Sequence, residues 1–154
     1  MPTLPVRIEP RIASSPATSA VGTPFQCQVY RRFSDLDTQG HVNNVAYADY
    51  LQDARVMLLE HVWKESMSDV AQVVVRLEID YKRPLLFGTE PVTVTISVAH
   101  IGNSSYTLSY EVFDHDGTLL ARSRTVLACV NALGRPTRIP PRLREVLGAH
   151  TISS

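Results

Sequence analysis

Apolar and polar residues alternate from Phe25 to Val29, with Phe25, Cys27 and Val29 set against Gln26 and Gln28. That is the spacing of a strand with one buried face. After a polar loop the period changes: Tyr47, Tyr50, Leu51, Ala54, Met57, Leu58, His61 and Val62 recur at steps of three and four, which predicts one helix of roughly 18 to 20 residues. Asn43 is placed to cap this helix and Val42 to pack against Tyr47. Asn44 is then the first helical residue, and its backbone N–H lacks an intrahelical partner. Beyond the helix the chain reads as strand over Gln72 to Tyr81, Val92 to Ala99, Ser105 to Phe113 and Leu119 to Val130, with turns at Gly102-Asn103 and at Asp114 to Gly117. The predicted fold class is α+β, with about five antiparallel strands against a single long helix. Small residues at Ala46 and Ala48 suit a sheet that curls around that helix. A short closing helix is expected over Pro141 to Leu147.

Composition adds limits to this picture. The chain has 154 residues, of which 44% are hydrophobic and 19% charged; this is enough for one ordinary core and too little for two comfortable domains. Fifteen Lys plus Arg balance fifteen Asp plus Glu, so no global positive field is available to hold nucleic acid or an anionic membrane. The longest apolar run, Val126 to Val130, falls far short of the roughly 20 residues that span a bilayer. Half of the ten prolines lie within the first 24 residues, among serines and threonines. Residues 1–23 therefore read as a flexible extension, residues 24–148 as the folded domain, and 149–154 as a tail. The recurring prolines also interrupt any secretory leader, and a cytoplasmic protein is expected. Cys27 and Cys129 sit in apolar alternating stretches without metal-ligand spacing, which suits buried thiols in a reducing compartment.

One stretch carries candidate chemistry: Asp35-Leu36-Asp37-Thr38-Gln39-Gly40-His41-Val42-Asn43-Asn44-Val45-Ala46-Tyr47. It brings two carboxylates, a histidine and two asparagines to a helix start, where unpaired N–H groups and the helix dipole favour negative charge. A carbonyl oxygen accepting from the Asn44 N–H would face a carboxylate from the preceding loop, the minimal arrangement for acyl transfer. The same residue types also serve turns and caps, so spacing alone leaves the chemistry open.

The Asp-x-Asp-x-x-Gly-His-Val-Asn-Asn-x-x-Tyr pattern resembles the signature of hotdog-fold thioesterases of the 4-hydroxybenzoyl-CoA thioesterase superfamily. The similarity continues through Asp80-Tyr81-Lys82-Arg83-Pro84, Gly88 and Ile101 to Ser105, and covers about Phe25 to Leu147. The resemblance implies a hotdog fold, a curled sheet wrapped around one helix. It further implies an acyl-CoA thioesterase with Asp37 as nucleophile or general base and the Asn44 amide as oxyanion donor. In the plant acyl-ACP branch an asparagine and a histidine join the aspartate; here these positions are Gln39 and His41, and only the histidine is retained. Another branch uses a carboxylate on the helix, for which Asp53 or Asp49 would be the nearest candidates. A CoA ligand brings phosphates, for which Lys82 and Arg83 at a strand end are candidates. Tyr47 is a candidate to shape the pocket from the helix, with core packing as the alternative account, and the resemblance implies His100, Asn103 and Ser104 on the nucleotide portion.

No metal or redox cofactor is implied, coenzyme A entering only as part of the substrate. The partners implied are an acyl-CoA or acyl carrier protein thioester and a second copy of the chain, in a homodimer or homotetramer whose partner strand Val73-Val74-Val75 lines the acyl pocket. Two rivals stand beside this reading: a non-catalytic acyl-CoA binding or regulatory module, and a hotdog hydratase or dehydratase, whose paired motifs are not found. Among the other side chains, Asp35 is expected to order the loop, Asp49, Asp53 and Glu60 to form a solvated stripe, and Trp63 to anchor a core or interface.

Overall fold

A computed structural model of the chain describes residues 10–11, 22–62 and 70–151. Its elements are β1 (Pro10–Arg11), β2 (Phe25–Val29), α1 (Asn44–Val62), β3 (Ala71–Tyr81), β4 (Val92–Ile101), β5 (Ser105–Phe113), β6 (Leu119–Val130) and α2 (Pro141–Ala149). The strands form one antiparallel sheet in the order β1-β2-β4-β5-β6-β3. The five principal strands are those the sequence predicts, four of them by alternation and β3 as an apolar run without it. The sixth, β1, is a two-residue pairing on β2, inside the segment that reads as an extension; at its end Gly22 N–H donates to the Thr151 carbonyl at 2.9 Å, and residues 1–9 and 12–21 of that segment, and Trp63, lie outside the described residues.

Alternation on β2, β4, β5 and β6 places one face of each strand inward. Cys27, Val94, Ile96, Tyr106, Leu108, Tyr110 and Cys129 have essentially no exposure, and both cysteines are free thiols. The inward face receives α1, which buries Tyr47, Tyr50, Leu51, Ala54 and Leu58, the residues its period selects. Register shifts between Val74 and Arg76, Val98 and His100, and Val112 and Phe113 bend the strands and increase their twist, which lets the sheet curl about the helix. This is the hotdog arrangement. α2 closes the fold against β4, with Leu143 and Leu147 buried.

Two features of this architecture position the site. α1 begins at the end of the sheet where β3 finishes, the Tyr81 hydroxyl lying 2.7 Å from the Asn44 carbonyl; Ala121, Val112 and Val94 stand level with Tyr81 in the adjacent strands. β3 also forms a sheet edge, and Val73, Val74, Val75 and Leu77 are 41 to 59% exposed along it. Among the described residues no helix is long and apolar enough to cross a membrane.

Candidate active site

The loop before α1 is held from both ends. Phe33–Asp35 forms a short 3-10 turn, and the buried Asp35 carboxylate accepts from the Arg32 N–H at 2.9 Å and the Tyr50 hydroxyl at 2.5 Å. Asp35 thus orders the loop as expected, and it does so by reaching the helix as well as the backbone. Leu36 and Val42 then pair as an isolated bridge. The five residues between them close on themselves: Asp37 N–H donates to the His41 carbonyl at 2.8 Å and Gly40 N–H to the Asp37 carbonyl at 3.2 Å. Gly40 has φ +76°, a conformation that glycine adopts without the Cβ penalty.

That turn also presents the Asp37 side chain. Oδ1 accepts from the Gln39 N–H at 2.9 Å and the His41 N–H at 3.2 Å, which fixes the carboxylate, and no described donor reaches Oδ2. The helix start lines the same cleft. Asn43 Oδ1 caps the Val45 N–H at 3.0 Å, and the Asn43 carbonyl accepts from Ala46 N–H at 2.9 Å. No described residue accepts from the Asn44 N–H.

The other wall comes from the segment after β3. Val42 N–H donates to the Leu85 carbonyl at 2.7 Å and His41 bridges Leu86. Arg31 holds the far side of this segment, its two terminal nitrogens 2.6 Å from the carbonyls of Leu86 and Glu90. Gly88 makes room for that guanidinium, since a Cβ there would lie 2.8 Å from it. Between the walls opens a cleft of about 320 Å³ lined by Asp37, His41, Val42, Asn44, Tyr47, Tyr81, Lys82, Arg83 and Pro84. Tyr47 lies at 2% exposure, and burial raises its phenol to about 12, so it stays protonated.

The structure therefore brings together Asp37, His41, Asn44, Tyr47 and Arg83. It places His100, Asn103 and Ser104 elsewhere, at the β4–β5 hairpin towards the opposite end of the sheet; along β4 the hairpin begins beyond Ile101 while Tyr81 stands level with Val94, a separation of about 20 Å or more. Asp49 is exposed, and Asp53 is partly buried beside Arg32, its carboxyl raised chiefly by burial; neither lines the cleft. Tyr81 is the lining residue whose role the sequence did not signal. Among the described residues no group of three His, Cys, Asp or Glu side chains could hold a metal ion.

A cleft that holds both a fixed, half-free carboxylate and an unpaired helix-start amide is suited to acyl transfer, and the comparison with known proteins agrees. The sequence model of the thioesterase-like superfamily matches residues 31–147. The chain belongs to this superfamily. It is 29% identical over 112 residues to the long-chain acyl-CoA thioesterase FadM of Escherichia coli strain K12, covering 70% of this chain and 83% of that protein. It also resembles a thioesterase of Thermus thermophilus solved with coenzyme A and zinc, at 34% identity and a TM-score of 0.71, covering 82% of this chain and 98% of that one. A predicted thioesterase of Bacillus stearothermophilus is 28% identical with a TM-score of 0.77, over 86% and 99% of the two chains. The matched superfamily region contains the whole cleft, so its fold and family are those of thioester hydrolases.

Proposed function

We propose that this thioesterase-like chain hydrolyses acyl-CoA thioesters with Asp37 and the Asn44 amide as its reacting pair. The observation that carries the reading is that the Asp37 carboxylate, immobilised through Oδ1, shares one cleft with an Asn44 N–H that has no described acceptor. With the thioester carbonyl oxygen on the Asn44 N–H, Asp37 Oδ2 attacks the carbonyl carbon or takes a proton from the water that does so. In the first case an acyl-Asp37 anhydride forms as the C–S bond breaks, and water then releases the acid and regenerates the carboxylate. In the second the tetrahedral adduct collapses directly to acid and thiol. His41 supports the turn through its N–H on Asp37. Tyr47 shapes the cleft, and Lys82 and Arg83 supply positive charge at its rim for the CoA phosphates.

The acyl-CoA class draws support from FadM and from the coenzyme A complex of the Thermus relative; an acyl carrier protein thioester is the alternative. The exposed apolar edge of β3 supports pairing with a second copy, because an unpaired, apolar edge strand is a template for association. Antiparallel pairing of two β3 strands would bring the partner's β4–β5 hairpin towards this cleft. That would give His100, Asn103 and Ser104 access to coenzyme A from the other subunit, in a dimer or a tetramer built from it. Free, buried thiols suit a cytoplasmic setting.

The test is thiol release from short, medium, long and aromatic acyl-CoAs by the native protein and Asp37→Asn. Asparagine keeps an oxygen for the Gln39 and His41 N–H groups but loses the nucleophile, so turnover should fall at least about a hundredfold with the fold intact. Full activity in the variant would remove Asp37 from the mechanism. Binding of acyl-CoA without thiol release by the native protein would favour the binding module.

A further inference from the structure

The peptide groups around the Asn44 N–H are tied on every side. Asn43 N–H donates to the Asp35 carbonyl at 2.7 Å, the Asn43 carbonyl accepts from Ala46, and Asn43 Oδ1 takes the Val45 N–H. These three ties are local to the loop and the first helical turn. The fourth comes from across the fold: the Tyr81 hydroxyl, 37 residues further along the chain, donates to the Asn44 carbonyl at 2.7 Å. The same ring packs edge-on against Tyr47, centroids 5.1 Å apart and planes at 89°. Tyr47 stands three residues beyond Asn44, on the same helix face, so Tyr81 grips the first turn of α1 at two successive points. Tyr81 is half-exposed, and partial desolvation raises its phenol, which keeps it a donor.

An oxyanion donor stabilises the transition state only when its N–H is aimed at the place where charge develops, and hydrogen bonds weaken steeply as they bend. A carbonyl oxygen has two lone pairs, so Asn44 can accept from Tyr81 and still accept its helical partner. The phenol thus anchors the first turn to the end of β3 without breaking the helix. We propose that Tyr81 is a positioning residue, whose hydroxyl holds the first turn of α1 so that the Asn44 N–H stays aimed into the cleft beside Asp37. This rests on the thioesterase reading above, and Tyr81 acts through Asn44 without contributing to the bonds made and broken.

The experiment compares the full-length native protein with Tyr81→Phe and Tyr81→Leu, on the acyl-CoA that the native protein turns over best. Tyr81→Phe keeps the ring and loses the hydroxyl; kcat should fall about threefold to tenfold, the equivalent of one neutral hydrogen bond. KM should stay within about twofold, because the aim of the donor matters most in the transition state. Amide exchange in the first turn of α1 should quicken. Tyr81→Leu removes the ring contact too and should lose more. Native kcat in Tyr81→Phe, or a loss carried by KM alone, overturns the proposal. So does a loss seen only in Tyr81→Leu, since the ring would then act without the hydroxyl. A native protein inert towards every CoA ester removes the thioesterase reading and the catalytic half of this proposal with it. The anchoring half is read separately: exchange in the first turn that is identical in native and Tyr81→Phe protein overturns it whatever the activity.

Discussion

Replacing Tyr50 by Phe isolates the tie between the loop and the helix. Tyr50 is 1% exposed and Asp35 7%, and their 2.5 Å contact joins a phenol on the second turn of α1 to a buried carboxylate. Phenylalanine fills the same volume, so the perturbation is one hydrogen bond to a charged acceptor, worth about 1.5–3 kcal/mol. The carboxylate is not abandoned in the variant. It keeps the Arg32 N–H at 2.9 Å and the Arg32 Nε at 3.5 Å, which argues for the middle of that range, about 2 kcal/mol. In a chain of this size such a loss lowers Tm by roughly 4–8 °C. Urea unfolding of native protein, Tyr50→Phe, Asp35→Asn and the double variant measures both the loss and its origin. The coupling between the two positions should exceed about 1 kcal/mol, as expected for residues in direct contact. A Tyr50→Phe loss under about 0.5 kcal/mol, or strict additivity in the cycle, would refute the reasoning. The effect should also reach the site, because the Asp35 carbonyl accepts the Asn43 N–H at the helix cap.

Two further expectations follow from the surface. Val75→Lys places a charge on the most exposed apolar position of the β3 edge; sedimentation should show a smaller species than the native protein, and an unchanged mass would remove that edge as the interface. His115 lies between Asp114 and Glu90, at 3.0 and 3.1 Å. The hydrogen bond with Asp114 first, then the charge of Glu90, raises its imidazole above the ordinary 6.5. A raised histidine contributes stability that is fully present below the unfolded value and is lost as pH rises through the folded one. Stability should therefore decline slightly from pH 6.5 upwards through the His115 titration. NMR titration of Glu90→Gln should show a lower His115 midpoint; an unmoved midpoint would exclude the bridge.

The parts of this fold that could be read from sequence are those whose causes are local. Asn43 caps α1 because an amide oxygen two residues before the Val45 N–H is all the cap requires. The strands follow from alternation, since each face of a strand meets either the helix or solvent. Asp37, His41 and Asn44 meet in the cleft because one short turn and one helix start carry all three. What could not be read depends on strand order. β3 follows the helix in sequence yet joins β6 at the far edge of the sheet, so its run of valines, expected to face a partner subunit, is exposed in the single chain. Whether the β4–β5 hairpin shares an end with the cleft depends on the same ordering, and His100, Asn103 and Ser104 therefore fall at the other end of their own subunit. Tyr81 meets Asn44 for the same reason: the end of an edge strand returns to the start of the helix that preceded it. No local pattern signals such a contact. It is this non-local tie, more than the motif itself, that connects the strand expected to bind a second subunit with the amide expected to bind the oxyanion. Activity and pairing should for that reason fall together in Val75→Lys, whereas Tyr81→Phe should lower activity and leave pairing intact.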